Sequence, residues 1–236
     1  MTSATRRLPG RAHRIYTVAV FIVLAALDNV AIALPPPLLS PISDDLGVGE
    51  PAVASAVAVN LLITAVAAVA WAYLGDRSAG VGATTYATTW LALLGTLALA
   101  GVGLGAVASV GFSVVSDLVS PRRRALVMGL WGLSQGLGTL AGTGLAGILG
   151  AADWRTPFRV LTLVGLAATV AYLFTARISR GASEPALQRL YEAGGEYAHR
   201  ISRADLPRIA ARRTNWWLVS QGLTAQLAFG SLVWLP

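Results

Sequence analysis

Apolar residues in this chain fall in long, nearly unbroken runs, not in the alternating or 3.6-residue patterns of half-buried strands and amphipathic helices. Six such runs, at 15–39, 51–74, 81–99, 102–118, 126–150 and 160–176, approach or exceed the roughly 20 residues a helix needs to cross a bilayer. A seventh starts near Trp216. The pattern predicts an all-α polytopic membrane protein: a tail over 1–14, a six-helix bundle over 15–176, a basic connector over 177–214 and a seventh helix over 215–236. Because that seventh run stops at Pro236, two residues after Trp234, the chain is expected to be the amino-terminal part of a longer protein.

One stretch strains the count. Residues 78–118 must hold two helices of roughly 17 to 19 residues each, at the short end of the spanning range. A tight hairpin near Ala100–Val102 is expected there. A single long helix is the rival, and it would place Arg77 and the Arg122–Arg124 cluster on opposite faces.

Charge gives the spans an orientation. The composition is 55% hydrophobic and only 12% charged, and every one of the 18 basic side chains is arginine. Arg6, Arg7, Arg11 and Arg14 precede the first run, Arg77 follows the second, Arg122–Arg124 precede the fifth, and eight arginines lie between Arg177 and Arg213. Asp44, Asp45 and Glu50 occupy the first connection without any basic residue. Basic residues accumulate in cytoplasmic loops, so the N-terminus and every second loop are assigned to the cytoplasm. The +7 charge is thereby explained by topology, and no nucleic-acid partner is expected. The first run is too long for a signal peptide and carries Asp28 and a proline cluster, so it is read as a retained helix.

Absent chemistry narrows the function. The chain has no cysteine, and its two histidines, His13 and His199, lie outside the spans, so neither a metal site nor a cofactor is expected. A hydrolase would need a nucleophile and a base within the bilayer, and no G-x-S-x-G elbow occurs; the chain is not expected to be an enzyme.

Asp28 is the one ionisable residue deep in an apolar run. A carboxylate there costs about 2.5 kcal/mol or more unless it is protonated, paired or hydrated, which makes it a candidate proton carrier. A structural role, bonded to Asn29 or to a neighbouring helix, is the competing reading. Asn29, Asn60, Trp131 and Gln135 are candidates for a substrate cavity, Trp131 and Gln135 sharing a helix face at i and i+4. For Asn60 and Gln135, bonding between helices is the alternative. Trp71 and Trp90 suit interface anchoring. Gly132, Gly136, Gly138 and Gly142 supply two G-x-x-x-G steps for close helix packing in lipid. The segment 186–201 is amphipathic enough to lie on anionic lipid, with a solvated linker as the alternative.

At Gly75-Asp76-Arg77 the chain resembles the major facilitator superfamily, whose motif at this place is G-x-x-x-D-R-x-G-R-R. Ala72, Ala79, Gly80 and Val81 stand where the family has glycine or basic residues. Four further segments resemble its spinster-type branch: Leu27-Asp28 with Leu34-Pro35 and Leu46-Gly47; Tyr73 to Arg77; Gly136 to Gly142 followed by Asp153-Trp154-Arg155 and Arg159-Val160; and Gly222 to Ala225 with Trp234-Leu235-Pro236. That branch carries Asp-Arg where this chain has Asp28-Asn29, and an arginine and a glutamate where alignment puts Leu97 and Leu104. The resemblance implies a secondary transporter in the cytoplasmic membrane that moves a small amphipathic or lipid-like solute by alternating access. It further implies that Gly75, Asp76 and Arg77 form the cytoplasmic gating loop, and that a second six-helix half completes the pathway. A degenerate half serving as a non-transporting membrane scaffold is the alternative, favoured by the missing charges.

Overall fold

The computed structural model of the chain describes residues 10–74, 87–106 and 110–175, with scattered positions between 189 and 224. The chain forms two compact units, Met1–Gly194 and Gly195–Pro236. The described residues are almost all helical and contain no strand. In the first unit, α1 covers Arg11–Ala33, α2 Leu39–Leu46, α3 Glu50–Leu74, α4 Trp90–Ala106, α5 Phe112–Leu118, α6 Pro121–Leu149 and α7 Arg155–Leu173. Arg11–Leu46 and Arg155–Leu173 are long and apolar enough, by length and composition, to cross a membrane. In the second unit, the described residues of the expected seventh helix include a helical stretch with Trp216 and Trp217 exposed.

Local sequence accounts for the breaks. Pro35, Pro36 and Pro37 end α1 because prolines donate no backbone hydrogen bond, and a single 3-10 turn at Pro36–Leu38 passes the chain on to α2. Gly47 closes α2 at φ 62, in the left-handed region where a side chain is disfavoured. Ser43 then ties the reversal, its hydroxyl donating to Val48 O at 2.6 Å. Pro121 opens α6 at the first turn, where its missing N–H costs nothing.

Contacts along the helices fix their directions. Ala26 lies against Gly138, Val30 against Gly142 and Leu38 against Gly150, so α1 and α6 run in parallel, side by side. On α3 and α4, Trp90 Nε1 donates to Ala52 O at 2.9 Å, Asn60 Nδ2 donates to Leu97 O, and Gly101 sits on Asn60 and Thr64; this pair is parallel too. The helix α7 runs against α1, with the Tyr16 hydroxyl donating to Ala171 O at 2.6 Å near one end and Asp45 meeting Arg155 near the other. Phe21, Ala25, Val115, Leu118, Val119 and Trp131 pack together toward the Tyr16 end.

The hairpin expected near Ala100–Val102 is not there. Trp90–Ala106 is one continuous helix through those residues. Gly101 is needed for close approach, not for a turn, since a Cβ there would come 3.1 Å from Thr64 Oγ1 and closer still to the Asn60 carbonyl. The helix starts at Trp90, so it is not the single helix over 78–118 that the charges argued against, and the described helix ends agree with the charge pattern. Because α3 and α4 are parallel, α3 ends toward the same side as α5, where Arg122–Arg124 follow. Residues 75–86 lie outside the described residues, as does nearly all of 186–201.

In lipid every polar group needs an internal partner. Threonine and serine hydroxyls meet this by donating to carbonyls of their own helix: Thr17 to His13 O, Ser134 to Trp131 O, Thr139 to Gln135 O, Thr162 to Phe158 O and Thr169 to Gly165 O.

Candidate functional site

A carboxylate cannot use that device. It accepts hydrogen bonds only, and the backbone N–H groups in mid-helix are already engaged. Asp28 shows the result: the residue is 7% exposed, and its Oδ1 is the one buried side-chain oxygen among the described residues with no hydrogen-bond partner. Nor does Asn29 relieve it, since the Asn29 amide donates to Ala25 O at 3.0 Å, within its own helix.

Helix geometry separates this carboxylate from the packing seam. The α1 residues against α6 are Ala26, Val30 and Ala33. At about 100° per residue, Asp28 lies roughly 200° around the helix from Ala26, on the side of Thr17, Phe21 and Leu24. Its burial is therefore not a by-product of the glycine seam.

The glycines divide in the same way. Gly138 and Gly142 are buried; a Cβ on Gly142 would come 2.6 Å from Val30 O, and one on Gly138 would strike Ala26 O. Gly132 and Gly136 have open space around their Cα atoms. Six residues of α6 turn the chain about 240°, so Gly132 and Gly138 face different ways.

The cavity candidates are not gathered around Asp28. Asn60 is buried and commits its amide to Leu97 O, joining α3 to α4. Trp131 is buried in the aromatic cluster, its ring edge-on to Phe112 at 6.2 Å. The α1–α6 register places Asp28 level with Leu140, so Gln135 lies about 7 Å along the bundle toward the Tyr16 end, at 1.5 Å per residue. Gly75, Asp76 and Arg77 lie outside the described residues.

At the opposite end the structure assembles a site that the sequence reading missed. Asp45 Oδ2 accepts from Arg155 Nη2 at 2.8 Å and from Trp154 Nε1 at 3.2 Å. The same Nη2 donates to Ala87 O at 3.0 Å, and the guanidinium lies 4.3 Å from the centre of the Trp154 ring. Asp153 caps α7, accepting from the Arg155 backbone N–H, the Thr156 hydroxyl and Arg159 Nη1. The Arg155 N–H bond, with Thr156 and the nearby arginines, holds its carboxyl below the ordinary value of 3.8. One arginine thus joins the end of α2, the approach to α4 and the start of α7. The signal was present as acidic residues in the first connection and Asp153-Trp154-Arg155 in another, but no spacing rule pairs positions so distant.

Among the described residues, then, two parallel helix pairs form the bundle, α7 runs antiparallel to α1, and one carboxyl is buried in mid-helix. The model of the Major Facilitator Superfamily matches residues 17–236, and the chain belongs to that family. Members of this family are generally not enzymes.

Among solved structures, the fold is similar to that of a bacterial homolog of the human lysosomal transporter Spinster, in an inward-facing and occupied conformation. The TM-score is 0.58 at 18% identity, over 75% of this chain. The chain spans about half of that structure's length, 47%. No curated protein matches.

Proposed function

We propose that this chain is the amino-terminal half of a secondary active transporter that moves a small amphipathic or lipid-like solute by alternating access, coupled to protons through Asp28. The observation that carries the reading is the buried, partnerless Oδ1 in the middle of the first span. A charge that costly is retained where it moves a proton or meets a substrate. Family membership supports the transporter class, and the solute class rests on the spinster-type likeness.

The pathway runs between this bundle and a second six-helix half, as in transporters built from repeats. Residues 75–77 serve as the gating loop on the cytoplasmic side, and 177–214 connects the halves. The protein sits in the cytoplasmic membrane with its N-terminus inside, a reading supported by Arg11, Arg14 and Arg122–Arg124 sharing one end of the bundle while Asp44, Asp45 and Glu50 share the other. In proteoliposomes, Asp28→Asn abolishes proton-driven uptake while insertion and helicity remain. Undiminished coupled uptake by that variant would sink the proposal, and absence of any flux in the unaltered protein would favour a scaffold.

A further inference from the structure

The two ends of the bundle treat their arginines differently. At the end where α7 begins, Arg155 lies 2.8 Å from Asp45 and Arg159 lies 3.0 Å from Asp153, so each guanidinium has a carboxylate inside the protein. At the Tyr16 end, Arg11 and Arg14 lie on the first turn of α1, and Arg122, Arg123 and Arg124 on the first turn of α6. The acidic residue described there is Asp117, near the end of α5, and both it and Arg124 have partners. Among the described residues no carboxylate pairs with Arg11, Arg14, Arg122 or Arg123.

Helix packing brings these four together. The register that sets Ala26 against Gly138 and Val30 against Gly142 continues to Arg11 level with Arg123 and Arg14 level with Leu126. Two turns further in, Val18 of α1 and Val127 and Met128 of α6 pack on one cluster, so the helices are still joined near their first residues. Arg11, Arg122 and Arg123 are exposed and Arg14 is half-buried. Like charges at one level repel one another, and an anion from outside the protein relieves them. A guanidinium fork suits phosphate, whose oxygens it takes in pairs.

What lies beneath the arginines narrows the anion. Ile15 follows Arg11 at i+4, and Leu126 and Leu130 follow Arg122 at i+4 and i+8, so the same helix faces turn from charged to apolar within one turn. Ile15, Leu126 and Leu130 are all exposed. Tyr16, also exposed, sits at the changeover, where amphipathic rings mark the level of lipid headgroups. A soluble phosphate would use the arginines alone, whereas a phospholipid uses both layers.

We propose that this end of the bundle is a docking surface for anionic phospholipid, with headgroup phosphates on Arg11, Arg14, Arg122 and Arg123 and acyl chains along the apolar side chains beneath them. In the orientation proposed above, this is the inner leaflet. The surface is separate from the mid-span carboxyl and does not depend on the solute that is moved. Bound lipid supplies here the negative charge that Asp45 and Asp153 supply at the other end.

The protein in neutral maltoside micelles is titrated with phosphatidylglycerol, with phosphatidylcholine of the same chains and with glycerol 3-phosphate, and bound lipid is counted by native mass spectrometry. Phosphatidylglycerol is expected to bind at least about tenfold more tightly than phosphatidylcholine at low salt, with a preference that shrinks as salt rises. Glycerol 3-phosphate at equal concentration displaces none of it. A basic residue beside the membrane is worth roughly fivefold in affinity for anionic lipid. Arg122→Gln with Arg123→Gln, and separately Arg11→Gln with Arg14→Gln, are therefore expected to weaken phosphatidylglycerol binding by more than about tenfold and to leave phosphatidylcholine unchanged.

Lysine at the same pairs of positions keeps most of the preference, which separates lost charge from lost fold. Arg159→Gln removes an exposed arginine at the other end and leaves the preference as it was. Equal binding of the two lipids, or a loss in Arg159→Gln as large as in the double variants, overturns the inference. Displacement of phosphatidylglycerol by glycerol 3-phosphate at equal concentration also overturns it, and makes the patch a site for soluble phosphate.

Discussion

The two parallel helix pairs are sealed by opposite means. Between α1 and α6 the seam is backbone on backbone: Gly138 and Gly142 let the helices approach until Ala26 and Val30 fill the space of a side chain. Between α3 and α4 the seam also has a glycine, Gly101, but it is fastened by side-chain donors, Asn60 to Leu97 O and Trp90 to Ala52 O. Lipid offers no hydrophobic drive for helix association, so packing and hydrogen bonds are the available terms. The first pair relies on shape, which tolerates no added volume. The second relies on polar contacts, whose loss costs less because each helix keeps its own backbone bonds.

Gly138→Leu tests the contrast most severely. A side chain there has no flexible neighbour to displace, so about 3 kcal/mol of stability is expected to go. Gly132→Leu, with open space around it, is expected to change stability by less than about 0.5 kcal/mol. Denaturant titration of both variants in micelles measures the difference, and equal losses would mean that α6 does not sit on α1 through Gly138. In the other pair, Asn60→Leu removes a single interhelical bond and costs about 1 kcal/mol by the same titration. Trp90→Phe keeps the ring and loses one donor, and about 0.6 kcal/mol is expected.

Arg155 is the link across the pairs, tied to Asp45 on the α1–α2 side and to Ala87 ahead of α4. Arg155→Gln is expected to lower Tm slightly, by an amount that shrinks as salt rises, because Asp45 is exposed to solvent. A loss insensitive to salt would argue for the Trp154 stacking instead. Asp153 gives the smallest effect and a defined sign. Its folded value lies below 3.8, so its contribution is present above about pH 4 and disappears as pH falls through the lower folded value. Thermal melts at pH 7 and pH 3 are expected to differ less in Asp153→Asn than in the unaltered protein.

Much of this was legible in the order of residues. Unbroken apolar runs gave the fold class, and the content of Gly136–Gly142 gave both a packing seam and a family likeness. Glycine, however, reads the same in a turn as in a close contact, and between Trp90 and Leu118 there is no charged residue before Asp117 to mark a boundary. That is why Gly101 suggested a hairpin where the chain runs on as α4. The glycine surface of α6 was likewise read as one, although 240° of helical turn divides it. Asp28 stood out because its cost is local, whereas Asp45 and Arg155 gain meaning only from a partner more than a hundred residues away.

The pairing of α1 with α6 also bears on how the chain is made. Gly138 follows Ala26 by more than a hundred residues, so α1 reaches the membrane long before the surface that seals it exists. At synthesis rates of about 5–20 residues per second, that interval is on the order of ten seconds. During it, the helix carrying the one mid-span carboxylate is without its principal neighbour. Early handling of this protein by the insertion machinery is therefore a matter of sheltering its first helix until its fifth conspicuously apolar stretch arrives.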